Sequence, residues 1–178
     1  MKKSNRLFRY IFTEVILIVW IALAGVTVHA AQLFEMHLLD VGQGQCVLIE
    51  ADGHYMLIDG GGRSSSSFVV SYLKQQGIER FDYIALSHYD EDHMSGLVGA
   101  LSVFPCEQIL LPSYAGEGDL YQSFATAAVS NGAGIQHPLA GDTFFLGNAI
   151  VEVTGPVRTD YEGENDCSLV FRITYGAV

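Results

Sequence analysis

Six consecutive residues, His88-Tyr89-Asp90-Glu91-Asp92-His93, carry two imidazoles and three carboxylates. They follow Tyr83-Ile84-Ala85-Leu86, an apolar run that reads as a buried strand, and they precede an apolar helical pattern beginning near Leu97. Such a concentration of donors at the end of a strand points to a metal site.

The spacing His-x-Asp-x-Asp-His can serve two divalent ions. No single helix or strand face directs four nearly consecutive side chains at one spot, but a loop can. His88 and Asp90 would turn to one ion and Asp92 and His93 to the second, with Tyr89 and Glu91 pointing away. Carboxylates in place of some imidazoles widen the preference from zinc alone to zinc, manganese or magnesium. The competing reading is a solvated acidic loop with a helix N-cap, since Asp92 or Ser95 can cap the helix that follows and acidic residues suit its N-terminus. The surrounding strand-loop-helix context favours the metal site.

The chain around this stretch reads as alternating strands and helices. Residues 33–41 and 45–51 are strands joined by Gly42-Gln43-Gly44, and Asp52-Gly53 marks a tight hairpin into a third strand at 54–58. That strand runs into Asp59-Gly60-Gly61-Gly62, where glycine permits positive φ close to a ligand site. A helix is expected over 68–76, a strand over 82–86, a helix over 97–104 stopped by Pro105, a strand over 108–111 and a helix over 120–129. Strands follow at 134–137, 143–146, 149–154 and 168–175. A ligand loop at the carboxyl end of a strand is where α/β proteins place their sites.

With Leu39-Asp40-Val41-Gly42-Gln43-Gly44 and Leu57-Ile58-Asp59-Gly60-Gly61, the histidine stretch resembles the metallo-β-lactamase superfamily, and more narrowly the hydrolase-like domain of ComEC-type competence proteins and their free-standing secreted relatives. The resemblance implies an α/β fold, an αββα sandwich, occupying residues 32–178. It also implies two divalent metal ions, zinc or manganese, at His88, Asp90, Asp92 and His93. A water activated there would attack a phosphodiester or another ester, with Asp92 or a substrate-bound group handling the proton. Asp59 would lie buried beneath the metal loop and hydrogen-bond it, as carboxylates behind metal ligands do. Asn165 and Asp166 resemble an Asn-rich signature before a Ser-Leu-Val strand and would support the site, although an Asx turn entering a strand explains them equally well. In the family a later strand supplies an Asp bridging the two metals and a later loop a further His. Neither position occurs here, so the resemblance makes 32–178 the N-terminal part of such a domain, incomplete at the C-terminus. An inactive binding module, or a fragment of a longer enzyme, is the alternative to a working hydrolase. The acid of the family's early Gly-Gln-Gly-Asp turn is replaced by Gln45, followed by Cys46.

The first 31 residues differ from the rest. Lys2, Lys3, Arg6 and Arg9 form a basic start, residues 15–28 are apolar, and Val28-His29-Ala30 offers small side chains for cleavage. This reads as a secretory signal peptide, giving a secreted or extracytoplasmic protein. The other reading is an uncleaved anchor facing outside, but Glu14 would then lie near the start of a span shorter than the roughly 20 apolar residues a bilayer asks for. From residue 32 onward five basic side chains face nineteen acidic ones, a formal net of −14. Backbone binding of nucleic acid demands clustered Lys and Arg. Arg63, Lys74, Arg80, Arg158 and Arg172 are scattered, so no general nucleic-acid grip is expected, and the substrate class stays open between a small molecule and a nucleotide or nucleic acid.

Cys46, Cys106 and Cys167 show no CxxC spacing and signal neither a zinc knuckle nor a disulfide framework. His37 and His54 lie on expected strands and read as satisfied sheet histidines, while His137 is the remaining candidate for an extra ligand.

Overall fold

The computed structural model describes residues 33–158 and 160–177. The expected leader or anchor, residues 1–31, lies outside them. Among the described residues no helix is long and apolar enough to cross a membrane.

Among the described residues nine strands and three α-helices form three layers. The larger sheet has the strand order β1 (Phe34–Leu38), β2 (Val47–Ala51), β3 (His54–Ile58), β4 (Phe81–Ala85), β5 (Cys106–Leu110) and β6 (Gly134–Gln136). β1 to β3 form the expected antiparallel meander, with Asp52 and Gly53 both at positive φ in the hairpin. From β3 to β6 the strands are parallel. Their crossovers contain α1 (Ser66–Gln75), α2 (Glu91–Val103) and α3 (Gly118–Asn131). The strands advance in one direction across the sheet, and crossovers of one hand then place every helix on the same face. That face is sealed by Leu48, Leu57, Phe81, Ile84 and Ile109 against Val69, Leu73, Leu97, Leu101 and Phe124.

The opposite face carries Ile49, Ala51, Met56, Ile58, Ala85 and Leu110. An antiparallel sheet of β7 (Thr143–Leu146), β8 (Ala149–Gly155) and β9 (Val170–Thr174) covers it with Leu146, Ala149, Val151 and Val153. Strand period two explains why β8 alternates between buried Val151 and Val153 and outward Ile150 and Glu152. Full burial of each large aliphatic side chain is worth about 1.5–3 kcal/mol, so these two cores dominate what holds the layers together. The order helix, sheet, sheet supplies three layers of the expected αββα sandwich. Among the described residues, no helix covers the outer face of β7–β9.

The expected boundaries shift in one place that matters. A helix start near Leu97 is corrected to Glu91: Asp90 is the extended N-cap residue, and Asp92 and His93 lie in the first turn. Acidic residues in a first turn are stabilised by the helix's own N-terminal partial charge. The expected cap at Asp92 or Ser95 is corrected as well: the N-cap position falls to Asp90, which makes no side-chain capping bond, while Asp92 and Ser95 lie inside the helix, and only the short link from Leu86 to Asp90 is loop.

Candidate metal centre

Two glycine-bearing loops and a glycine within α2 hold the start of that helix in place. Gly60 N–H donates to the His93 carbonyl at 2.7 Å and Gly96 N–H to the Gly61 carbonyl at 3.1 Å. A Cβ on Gly60 would strike the backbone of Gly96 and Leu97, a Cβ on Gly96 would strike Gly60, and a Cβ on Gly44 would strike the Asp92 carbonyl. Only glycine lets these backbones meet, which fixes where His93 and Asp92 stand.

Asp59 sits beneath them, fully buried and at φ 57°. One carboxylate oxygen, Oδ1, accepts the Ser87 backbone N–H at 2.7 Å. The other, Oδ2, accepts the Ser87 hydroxyl at 2.7 Å and lies 2.7 Å from His93 Nδ1. A buried carboxylate survives because charge-assisted donors surround it. The hydrogen bond to Asp59 raises the His93 pKa above its ordinary value, with burial opposing and the charges of Asp59, Asp92 and Asp90 adding to the rise. Asp59 is thus buried and bonded to Ser87 and His93 on either side of the loop.

The four expected ligands are gathered at one end of β4, and their distances are uneven. The His88 and His93 rings lie with centroids 4.0 Å apart, and His88 Nε2 is 3.4 Å from Asp90 Oδ2. Both histidines use Nδ1 toward Ser87 and Asp59, which leaves both Nε2 atoms for a ligand role. Asp92 is turned to the Gln43 amide at 3.2 Å. Among the described residues no three His, Cys, Asp or Glu side chains already converge on one point. A set of two borderline nitrogens and two hard carboxylates suits divalent cations. Tyr89 turns into the core, whereas Glu91, expected to point away, lines the same cleft as Asp90 and Asp92. Tyr89 packs edge-on against Tyr114 and Tyr121, and Glu91 accepts the Arg63 backbone N–H and the Ser95 hydroxyl.

Two recesses flank the loop, one lined by its carboxylates and the other by its histidines. A cleft of about 750 Å³ is lined by Gln43, Gly62, Arg63, Asp90 and Asp92 among others. A second, of about 370 Å³, opens between the sheets and is lined by Ser87, His88, His93, Val47, Ile58 and Phe171 among others. Asn165 and Asp166 lie in the 3₁₀ turn Asn165–Cys167 before β9. Both are exposed, and neither side chain bonds Asp59, Ser87 or the histidines. The turn reaches the site through backbone instead: Leu169 N–H donates to the Ser87 carbonyl at 2.9 Å.

The other histidines are accounted for locally. His37 Nδ1 bonds the Tyr72 hydroxyl at 2.7 Å, His54 Nδ1 bonds Asp82 at 2.9 Å, and His137 Nδ1 bonds the Pro112 carbonyl at 2.7 Å. All three cysteines are free thiols, and burial pushes the Cys46 thiol up to about 12. Sequence reasoning overlooked Ser87 and Gln43. Ser87 could have been found as a small hydroxyl residue between a buried strand and the first ligand.

A three-layer α/β/β fold with paired histidines and aspartates at a strand end defines a metallohydrolase-like class. The sequence profile of the Metallo-beta-lactamase superfamily matches residues 39–177, and the chain belongs to that superfamily. Its relatives bear out the ComEC-type resemblance. Recombination protein 2 of Haemophilus influenzae is 33% identical over 99 residues, covering 53% of this chain and 12% of that protein. ComE operon protein 3 of Bacillus subtilis is 24% identical over 162 residues, covering 81% of this chain and 21% of that protein. The chain thus spans between 12% and 21% of the length of these two relatives. Among solved structures, a HARLDQ-motif mutant of a metallo-β-lactamase from Cronobacter sakazakii matches with a TM-score of 0.53 at 17% identity, over 74% of this chain and 53% of that one. MEM-A1, a subclass B3 metallo-β-lactamase from a soil metagenome library, matches with a TM-score of 0.53 at 18% identity, over 74% of this chain and 52% of that one. At such identities the likeness establishes the fold.

Proposed function

We propose that this chain carries the metal-binding residues of a hydrolase acting on phosphodiester or other ester bonds. The observation that supports this reading most is that His88 and His93 use Nδ1 for Ser87 and Asp59, which leaves Nε2 of each available to an ion, with His88 Nε2 3.4 Å from Asp90 Oδ2. A pair of zinc or manganese ions there would polarise the ester and make water a better nucleophile near neutral pH. The chain's own residues do the rest. His88 and Asp90 hold one position, Asp92 and His93 the other, and Asp92 takes the proton released by water. Arg63 lines the acidic cleft together with Asp90 and Asp92 and supplies a positive charge for an anionic substrate group. Relatives bearing the names "Recombination protein 2" and "Competence protein ComA" make a nucleic-acid phosphodiester the first substrate to try.

A second reading rests on the ligand count. Two protein donors per ion fall short of the three that catalytic zinc usually has, so the chain alone would bind metal weakly and act as a binding module without turnover. Titration calorimetry with zinc and manganese, run beside hydrolysis of bis(p-nitrophenyl) phosphate and single-stranded DNA, separates the two. The hydrolase reading expects binding and turnover that both vanish in His88→Ala/His93→Ala, and a higher KM for the phosphodiester in Arg63→Gln. Metal binding without turnover supports the module. Tight stoichiometric binding untouched by the double change would remove these residues from the site.

We further propose export through the N-terminal leader. N-terminal sequencing of protein recovered outside the cytoplasm is expected to begin at Ala31 or Gln32, and a start at Met1 in a membrane fraction would replace cleavage by anchoring.

A further inference from the structure

Ser87 stands between the buried aspartate and both histidines. It lies two residues beyond the end of β4 and is 8% exposed. Its Oγ is 2.7 Å from Asp59 Oδ2, 2.9 Å from His88 Nδ1 and 3.4 Å from His93 Nδ1. A serine hydroxyl has one proton to give and lone pairs to accept with, whereas an ionised carboxylate only accepts. The proton therefore belongs on the line from Oγ to Oδ2, because two oxygens 2.7 Å apart in a buried site with no hydrogen between them would repel. With that proton committed, Oγ presents a lone pair to His88, and the short contact at 2.9 Å is made only if Nδ1 carries the imidazole hydrogen. His93 needs no such relay, since its Nδ1 meets the carboxylate itself at 2.7 Å and its contact with Oγ is the longer one.

We infer that Ser87 is a positioning residue that passes the orienting effect of Asp59 to His88. One buried carboxylate thereby sets both imidazoles with hydrogen on Nδ1 and a lone pair on Nε2, His93 directly and His88 through the serine. The backbone N–H of Ser87, bonded to the other oxygen of Asp59, holds the hydroxyl in register, so both polar groups of the residue address one carboxylate. Metal ligation by Nε2 asks for this tautomer in both rings. The affinity part of the inference rests on the metal-centre reading above, while the tautomer part concerns the metal-free protein alone.

Long-range ¹H–¹⁵N NMR of the metal-free protein, labelled at histidine and held at alkaline pH, reads the proton positions. The wild type is expected to show His88 with hydrogen on Nδ1. Ser87→Ala is expected to shift that hydrogen toward Nε2 on His88 and leave His93 unchanged, and Ser87→Thr to restore it. Calorimetry with manganese or zinc is expected to show a loss of about 10–100-fold in affinity for Ser87→Ala, regained in Ser87→Thr, the size typical of residues that orient a ligand. A wild-type His88 protonated on Nε2 overturns the inference even if Ser87→Ala fails to fold. So does a folded Ser87→Ala whose tautomer and affinity match the wild type. If the wild type binds no metal, the NMR result still decides the role of Ser87, and the hydrolase proposal falls by itself.

Discussion

Two aspartates adopt positive φ, Asp52 at 55° and Asp59 at 57°, and each collects donors from distant parts of the chain. Asp tolerates the left-handed region better than most residues, and the hydrogen bonds made there offset the strain. Asp59 organises the histidines, while Asp52 links the sheets at the opposite end of the meander. Asp52 accepts from the Tyr175 hydroxyl at 2.7 Å, from Asn148 Nδ2 at 2.7 Å and backbone N–H at 3.0 Å, and from Leu33 N–H at 3.3 Å. These donors, Tyr175 first, lower its pKa below the ordinary carboxyl value, with desolvation acting the other way. The same contact pushes Tyr175 up to about 12, behind desolvation as the larger cause. Because the folded pKa of Asp52 is depressed, its contribution is fully present above the unfolded pKa and is lost as pH falls through the folded one. Urea unfolding of wild type and Asp52→Asn from neutral pH into acid is expected to show a gap that narrows as pH falls; a constant gap would refute the assignment. The hairpin at Asp52-Gly53 was legible in the sequence from its residue types. The bond to Tyr175 was not, because no local pattern marks partners 123 residues apart. His37 and His54 were readable as sheet histidines from their strand positions, but their partners, Tyr72 on α1 and Asp82 on β4, like the contacts of Ser87, arise only from folding.

At the level of elements, the segment from β3 to α2 builds the site. β3 delivers Asp59, β4 delivers Ser87 and His88, and α2 delivers Asp92 and His93 from its first turn. The donors and the flanking apolar runs were visible in the sequence, but the helix start was misplaced by six residues because polar, charged side chains mask helical periodicity at a terminus. The glycines carry the missing information. Gly96 lies inside α2, where glycine costs roughly 1 kcal/mol relative to alanine, and the close approach of Gly60 explains its presence. Gly96→Ala is expected to destabilise the fold by about 1–3 kcal/mol, the usual range for overpacking, despite better helix propensity. It should also weaken metal binding by pushing α2 off the Asp59 loop. Gly53→Ala provides the comparison, for its Cβ would meet nothing within 4 Å and only its φ of 81° resists substitution. Thermal unfolding and calorimetry on both variants check this: equal metal affinity in Gly96→Ala and wild type would show that the glycine contact does not set the ligand geometry.

Across the whole molecule the two sheets share a core, yet their outer edges are unequally protected. The helices shield one face of the larger sheet, while the outer face of β7–β9 exposes Phe145, Ile150 and Val170, with Phe145 67% exposed. β9 is also an edge strand of its sheet among the described residues, and it carries a row of backbone donors and acceptors. Natural edges are commonly blunted by charge, proline or bulges. Here the protection is slight, because Arg172 of β9 is engaged by Glu152 on β8 and the irregularity between Val153 and Gly155 lies in β8. The alternation along β9 was readable in the sequence, but which of its two sides faces the core follows only from how the sheets stack. An apolar outer face beside an open edge favours pairing between copies, so the purified chain is expected to self-associate in a concentration-dependent way. Adding charge on the outward side, with Val170→Lys and Thr174→Lys together, leaves the inward Phe171 and Ile173 in place and should shift the distribution toward monomer. Sedimentation velocity over a range of concentrations decides it: a wild-type chain that stays monomeric, or association that the paired lysines leave unchanged, would show that β9 is not the adhesive edge.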